Sequence, residues 1–275
     1  NPAKKWTYKE FYQKDRKDTL EDNKKFIQAL PTDNEHLPNS YLVSLLGLDK
    51  NSKQRLYYGN WEYDDDPSTL IDFDAINDYW NPTHVKAEGL KYMTIDVARK
   101  GKDKTVFRVW HGWKCIHRYA INKSGLDDVV NKAKQLQSTY GISISNVIAD
   151  EDGVGGGVVD FLKCKGFVNG SRPLEERIGN EIKVPNYNNL KSQCGFKMAE
   201  KIMKREVGEV CNDKDVIDLT SEEMEQVKQK DIDKDGKVML VGKDKVSEMI
   251  GRSPDDWDSI LMRYWFELEI PVFSF

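Results

Sequence analysis

The sequence predicts an α/β protein in which a mixed central sheet is flanked by helices and preceded by a partly helical N-terminal extension. Three strand-like segments follow one another at Lys91–Ala98, Thr105–Trp113 and Lys114–Ile121. Leu126–Tyr140 then has apolar residues at helical spacing, and Ile144–Ala149 is a further short apolar strand. Strands followed by a helix, a strand and another helix predict a sheet with helices packed on its faces.

The elements on either side follow from the same periodicity. Upstream, Thr7–Phe26 is predicted as a charged helix and Asn39–Leu48 as a short amphipathic helix. The acidic stretch Tyr63–Pro67 is typical of a linker, so the predicted division is into residues 1–62 and residues 63–275. Further helices, and a hairpin turning at Asp235 and Gly236, are predicted downstream. The helices are Val158–Lys165, Leu190–Arg205, Ser221–Lys228 and Asp255–Leu268, and the hairpin is Ile232–Val241.

Composition narrows the functional classes without choosing one. The 275 residues are 39% hydrophobic and 32% charged, and no apolar run approaches the roughly 18 residues that a membrane span needs. The four cysteines are widely spaced and form no C-x-x-C pair, which argues against a zinc site or a disulfide framework and for a reducing cytoplasm. The net charge of −4 is not that of a basic protein, so DNA binding requires a local patch of lysine and arginine.

Two aspartates interrupt or end apolar strands. Asp96 lies within YMTIDVA, where a carboxylate is costly unless it has a partner, and Asp150 ends SNVIAD. Each could lie at an exposed strand end or cap a turn, or it could be a metal ligand held by the sheet. Neighbouring parallel strands would bring the two side by side at their carboxyl ends, where α/β sheets bind ligands.

A third acidic group begins the predicted helix at SPDDWDSIL. Ser253 can cap this helix, Pro254 suits its first turn, and acids there are favoured by the helix dipole, which accounts for Asp255 and Asp256. It accounts less well for Asp258, which lies one turn further in, beside the apolar face. We expect Asp258 to point back towards the sheet.

Acids from two strands and a helix are the ingredients of a two-metal phosphodiesterase. Carboxylates suit Mg²⁺ or Mn²⁺, and two ions about 4 Å apart can activate water and stabilise a leaving oxygen. The acids would repel one another without a cation, so such a cluster implies metal. Asp96, Asp150 and Asp258 are the predicted catalytic residues and metal ligands; the hypothesis is that Asp96 contacts both ions and that the other two each hold one.

Two further motifs have structural explanations. The glycine run Gly153–Gly157 lacks the spacing of a phosphate loop and is predicted to let the backbone turn tightly beside Asp150. The loop Asp231–Val238 matches the opening of an EF-hand, but Gly242 stands where a bidentate glutamate is needed, which favours a hairpin turn over a calcium site.

Basic residues near the acids predict contacts with the DNA backbone. A basic loop directly follows Asp96, and a solvated loop is its alternative explanation. Lys191 and Lys197 are weaker candidates for the same groove. The predicted DNA-binding residues are Arg99, Lys100, Lys102, Lys104 and Arg252.

Three motifs together resemble the nuclease domain of tailed-phage terminase large subunits: IDVARKGKDKTVF, IADEDGVGGGVVDFL and GRSPDDWDSIL. LPNSYLVSLLGLDKNSKQRLYYGNW resembles the segment that joins that family's ATPase and nuclease domains, and NPAKKWTYKEFY resembles the end of the ATPase region. The resemblance implies an RNase H-like fold that cuts concatemeric double-stranded DNA during packaging, in the host cytoplasm. It also implies the portal protein and the small terminase subunit as partners. By carry-over, Asp96, Asp150 and Asp258 match the metal-binding acids, with Asp255 as a fourth.

The resemblance has one departure, because this chain has no G-x-x-x-x-G-K-[ST] motif. Its GK pairs at Gly101, Gly236 and Gly242 are each followed by Asp or Val, so none is a P-loop. We therefore expect the motor domain to lie upstream of this chain. Two alternatives stay open: a junction resolvase or recombinase of the same fold, and a non-catalytic docking module of the packaging motor.

Overall fold

The computed structural model describes most of the chain and divides it into two compact units, Asn1–Pro67 and Ser68–Phe275. The described residues are 7–16, 19–48, 53–54, 56–61, 68–98, 103–178, 181–231 and 236–268. The predicted linker at 63–67 lies outside them, and the assignment of residues 1–62 to an ATPase region stays a prediction. No helix in the described part of the chain is long and apolar enough to cross a bilayer.

The smaller unit is only partly helical. A π-helical turn at Tyr8–Gln13 leads into α1 (Lys14–Arg16), a 3-10 turn covers Pro31–Asp33, and α2 covers Asn39–Leu46. The predicted helix Thr7–Phe26 is wrong over residues 19–26, which are not helical.

Aromatic packing is what brings the chain of this unit back on itself. Phe26 packs edge-on against Tyr12 with ring centroids 5.4 Å apart, and Trp61 stacks on Tyr12 at the same centroid distance. These aromatic residues therefore pack separate segments of this unit together.

The larger unit is built on a six-stranded mixed sheet in the order β5-β4-β1-β2-β3-β8. β2 is antiparallel to both β1 and β3, whereas β4 pairs parallel to β1, β5 parallel to β4, and β8 parallel to β3. A separate hairpin joins β6 and β7. The strands are β1 Ala87–Asp96, β2 Lys104–Gly112, β3 Lys114–Asn122, β4 Val147–Asp150, β5 Lys165–Phe167, β6 Glu176–Ile178, β7 Glu181–Lys183 and β8 Gly208–Glu209.

Helices cover both faces of this sheet, which confirms the predicted fold class. Their bounds are α3 Phe73–Tyr79, α4 Leu126–Tyr140, α5 Gly155–Leu162, α6 Leu190–Met203, α7 Lys214–Glu225, α8 Lys243–Ile250, α9 Asp255–Leu261 and α10 Trp265–Leu268, with 3-10 turns at Ile144–Asn146 and Met262–Tyr264. On one face, α4 and α5 pack on residues such as Ile95 and Phe107. On the other, α3, α6, α7 and α9 pack on Trp110 and Ile148. The sheet is thus the middle of three layers.

Several predicted bounds were wrong. α7 begins at Lys214 instead of Ser221, because the Asp213 carboxylate caps the backbone amides of Asp215 and Val216. The predicted helix Asp255–Leu268 is broken into α9, a 3-10 turn and α10. α3 and α8 were not predicted; each is short, at seven and eight residues.

The chain pairs with itself across the predicted hairpin Ile232–Val241, but the described residues of the first arm lie before Ile232. Gln229 and Leu240 pair as antiparallel residues. Its turn, including Asp233 and Asp235 of the EF-hand-like motif, lies outside the described residues.

Candidate active site

Two predicted aspartates lie side by side at the carboxyl edge of the sheet. β1 and β4 are parallel neighbours with Ile95 opposite Ala149, so the residues that follow, Asp96 and Asp150, end the two strands at the same level. Side chains alternate across a sheet, and Ile95 and Ala149 belong to the core under α4 and α5. Asp96 and Asp150 therefore face the opposite layer, where α9 packs.

Close backbone packing holds Asp150 in place and explains the glycine run after it. A Cβ atom on Gly155 would lie 1.7 Å from the Asp150 carbonyl oxygen, so only glycine lets α5 begin there. The predicted helix Val158–Lys165 was wrong at both ends. It begins earlier, at Gly155, because glycine allows this close approach, and it ends earlier, at Leu162, because Lys163 adopts the left-handed conformation with φ 58°.

An asparagine that sequence reasoning missed also contacts these acids. The side-chain amide of Asn169 donates to Asp150 Oδ1 at 3.2 Å and to Asp152 Oδ2 at 2.8 Å. Asn169 lies two residues after β5, the strand beside β4. The sequence does contain a signal for Asn169, because it is a polar residue just after the end of a third strand, as Asp96 and Asp150 are at the ends of the other two.

Helix α9 brings the third acidic group to the same edge. Thr94 on β1 donates its hydroxyl to the Ser259 carbonyl at 2.7 Å, which fixes α9 across the sheet face that carries Asp96. Asp258 is buried at 6% exposure and Asp255 at 3%. The predicted Ser253 cap was wrong: Pro254 occupies the cap position, with no side-chain cap bond.

The carboxylates are close enough to perturb one another. Burial, and then the charges of Asp258, Asp255 and Asp150, raise the pKa of Asp96 well above its usual value, although Lys243 opposes this. Burial also raises the pKa of Asp150 to about 6, with Asp152 and Asp258 adding to the shift. The structure thus gathers Asp96, Asp150, Asp255 and Asp258 into one electrostatic cluster.

Two lysines supply the positive charge in this cluster. Lys191 Nζ lies 2.6 Å from Asp258 Oδ1, and Lys243 Nζ lies 3.0 Å from Asp258 Oδ2 and 3.5 Å from Asp255 Oδ1. Burial would raise the pKa of Asp258, but these two ammonium groups outweigh it and lower that pKa. Sequence reasoning ranked Lys191 low and missed Lys243, which lies on the unpredicted helix α8.

The donor chemistry of the cluster fits a hard divalent cation. Carboxylate oxygens are the ligands of Mg²⁺ and Mn²⁺, and the raised pKa of Asp96 marks a place where added positive charge would be favourable. Among the described residues, no three acidic, histidine or cysteine side chains are arranged to hold a metal ion. The salt bridges of Lys191 and Lys243 direct the Asp258 oxygens to ammonium groups instead.

Replacing Lys243 with methionine should therefore strengthen metal binding. The change removes the cation that competes for Asp255 and Asp258, and we expect the Kd for Mn²⁺ to fall roughly 10-fold, equivalent to about 1.4 kcal/mol. Isothermal titration calorimetry measures it. Lys245→Met, an exposed lysine of the same helix, is the matched control, and equal affinities in the two variants would contradict the competition.

The neighbouring Asp256 is turned away from this cluster into a buried cationic network. Arg118 Nε lies 2.6 Å from its Oδ1, Arg108 Nη2 lies 3.0 Å from the same oxygen, and Lys104 Nζ lies 2.7 Å from Oδ2. Arg108 also pairs with Glu209 on β8 at 2.9 Å. These cations hold the pKa of Asp256 well below its usual value, although burial opposes them. Asp256 thus locks α9 onto the sheet and is separate from Asp255 and Asp258.

A second buried acid beside this network makes stability depend on pH. Burial, and then the charge of Asp256, raise the pKa of Glu223 from 4.5 to about 8. The folded chain binds this proton more tightly than the unfolded chain, so the contribution to stability is full below pH 4.5 and is lost as the pH rises through about 8.

Glu223→Gln should flatten this loss. The glutamine keeps an acceptor for the Trp257 amide, which donates to Glu223 Oε2 at 2.8 Å. We expect the variant to gain about 1 kcal/mol or more over wild type at pH 8 and little at pH 5, measured by urea unfolding. Glu222→Gln, on the exposed neighbour, is the control; the same pH slope in all three proteins would contradict the account.

Most predicted DNA contacts are either paired internally or undescribed. Besides binding Asp256, Lys104 donates its backbone amide to Asp255 Oδ2 at 3.1 Å. Arg252 pairs with Glu222 at 2.9 Å, and Lys197 with Glu176 at 2.7 Å. Contact of these residues with DNA stays a prediction. Arg99, Lys100 and Lys102 lie outside the described residues.

Comparisons with known proteins find similarity in structure and none in sequence. No protein-family model and no curated protein sequence matches the chain. The nuclease domain of the large terminase subunit of bacterial virus Sf6 superposes with a TM-score of 0.62 at 16% identity, over 74% of this chain and 100% of that one. A lysine-to-alanine mutant of the same domain, with manganese, gives 0.61 at 14% over the same shares. The chain has the fold of a phage terminase nuclease domain.

A third terminase structure is similar over nearly as much of this chain. The large terminase nuclease of the thermophilic phage G20c, with bound magnesium, gives a TM-score of 0.45 at 16% identity, over 73% of this chain and 98% of that one. The terminase resemblance carried by the three acidic motifs is confirmed as a resemblance of fold, on the Sf6 comparison. The roles of the individual residues stay predictions.

Proposed function

We propose that this chain is the nuclease domain of a terminase large subunit and that it cuts double-stranded viral DNA during genome packaging. The observation that carries the proposal is the cluster of Asp96, Asp150, Asp255 and Asp258 on the terminase nuclease fold. Supporting it, the Sf6 mutant terminase nuclease domain of the same fold was solved with manganese. The portal protein and the small subunit are its proposed partners, and the host cytoplasm is its proposed location.

Each acid has a proposed part in holding the metal. Asp96, Asp150 and Asp258 would bind two Mg²⁺ or Mn²⁺ ions, with Asp255 as a fourth ligand, and bound ions would supply charge stabilisation for phosphodiester hydrolysis. The sheet and α9 already hold these carboxylates together in the folded chain, so metal binding does not have to bring like charges together. Lys191 and Lys243 neutralise the acids in the absence of metal.

Cutting of supercoiled plasmid tests the proposal. We expect nicked and linear products in the presence of Mn²⁺ or Mg²⁺ and none in EDTA. Comparing linear duplex with a four-way junction separates a packaging nuclease from a junction resolvase, which would prefer the junction. Binding of DNA without any metal-dependent cutting would contradict the proposal and favour a docking module.

A further inference from the structure

An open polar groove lies between the end of β3 and helix α4, at the edge of the sheet where β1 also ends. Its volume is about 680 Å³. Two lysines, three carboxamides and a hydroxyl line it, and every one of these groups can donate a hydrogen bond. These residues are Asn122, Lys123, Ser124, Asn131, Lys132 and Gln135. We call it the flank groove.

The strand register places the strand end that borders the flank groove on the same edge of the sheet as the acids. Asp96 on β1 pairs with Val106 on β2, and Lys104 at the start of β2 pairs with Asn122 at the end of β3. The ends of β1 and β3 therefore lie on the same edge, two strand spacings or about 10 Å apart. The groove lies on the α4 face of the sheet and the acids face the α9 layer, so a duplex that contacts both passes over this edge.

Lys123 is presented to solvent by an unusual backbone. Its φ of 53° lies in the left-handed region, which non-glycine residues rarely adopt and which recurs at functional sites. Lys123 is exposed, and no carboxylate of the described residues forms a salt bridge with it. Its ammonium is thus available to an anion from outside the chain.

The other charges in the groove agree with an anionic occupant. Lys132 Nζ lies 3.8 Å from the Tyr119 ring centroid and 3.1 Å from Gln135 Oε1, contacts that hold the lysine at the groove without neutralising it. The opposing charge is Asp128, whose carboxylate accepts the Gly125 amide at 2.9 Å and so caps α4.

We propose that the flank groove binds the sugar-phosphate backbone of duplex DNA that passes over the sheet edge carrying the acids. Lysine, asparagine, glutamine and serine side chains are the groups that contact phosphates and sugars without reading sequence. The proposal rests on the proposed nuclease function, because it extends the contact of the DNA substrate from the acidic cluster round this edge to the α4 face. The groove would contact DNA without Lys104 or Arg252, which form salt bridges with Asp256 and Glu222 within the chain.

The salt dependence of DNA binding tests this groove. Each phosphate contact contributes about 0.9 to the slope of log K against log salt, so Lys123→Ala with Lys132→Ala should reduce the slope by roughly 2. Anisotropy of a labelled duplex in EDTA measures binding without cutting. The matched control is Lys134→Ala with Lys214→Ala, which removes the same charge from exposed lysines outside the groove and should keep the full slope.

The outcomes separate the groove from the proposed function. Urea midpoints equal to wild type show that both double variants fold. If wild type cuts plasmid and both double variants bind DNA with the same slope, the groove proposal is overturned while the nuclease stands, and a protein partner becomes the candidate occupant. If wild type neither binds nor cuts DNA, the proposed function fails and the groove proposal fails with it.

Discussion

Asp258→Asn should reduce DNA cutting by about 1,000-fold or more, because the ions that it would hold contribute several kcal/mol to the transition state. Asp96→Asn and Asp150→Asn should have effects of the same order. Asparagine keeps the size of each side chain and removes its charge. Initial rates on supercoiled plasmid in Mn²⁺ measure the loss.

A carboxylate outside the cluster provides the control. Asp160 is exposed on α5, the helix that begins beside Asp150, and Asp160→Asn should cut at the wild-type rate. Urea unfolding of each variant shows whether a loss of activity reflects a loss of folded protein. Near wild-type cutting by a folded Asp258→Asn or Asp96→Asn variant would remove that residue from the site.

Arg108→Met should destabilise the fold by about 3–5 kcal/mol, the usual effect of removing one partner from a buried ion pair. Arg108 is fully buried in the middle of β2, and its loss leaves Asp256 and Glu209 with less of their neutralising charge. The free energy of unfolding in urea measures the effect. Lys204→Met, at an exposed helical pair with Glu200, should change it by about 0.5 kcal/mol or less.

Neutralising Glu209 distinguishes lost pairing from lost packing. Adding Glu209→Gln to Arg108→Met removes the carboxylate whose ion pair is lost and should recover part of the stability, whereas Asp256 keeps its pairs with Arg118 and Lys104. A loss of less than about 1 kcal/mol for Arg108→Met alone, or no recovery in the double variant, would contradict the account of α9 as a helix held by this network.

The meeting of Asp96 and Asp150 was predictable because it depends on local patterns. Each residue follows an apolar strand, the two strands were expected as parallel neighbours, and a period of two puts both carboxylates on one face. The same reasoning yielded the sheet and helix α4, whose apolar residues recur at helical spacing.

The different contacts of Asp255, Asp256 and Asp258 could not be predicted from the sequence. Which acid faces the sheet edge and which enters the buried network depends on cations from β2 and β3, distant in sequence. Arg108 was nevertheless visible as a charge inside the apolar strand TVFRVW, where it requires a buried partner.

Helix α8, with Lys243, was missed because it is only eight residues long and follows a hairpin. Its charged first turn, KDK, has no apolar periodicity. Helix α3 is equally short, but its cap was detectable, since Asp72 accepts the Ala75 amide at 2.6 Å. Short helices of this kind are fixed by tertiary packing more than by local pattern.

Anomalous diffraction from crystals soaked in MnCl₂ tests most directly whether the gathered carboxylates form a divalent-metal centre. We expect two manganese peaks about 4 Å apart, within bonding distance of Asp96, Asp150 and Asp258, with the Lys243 ammonium displaced from Asp258. Fully soaked crystals in which manganese binds elsewhere, while Lys191 and Lys243 still hold Asp258, would contradict that claim.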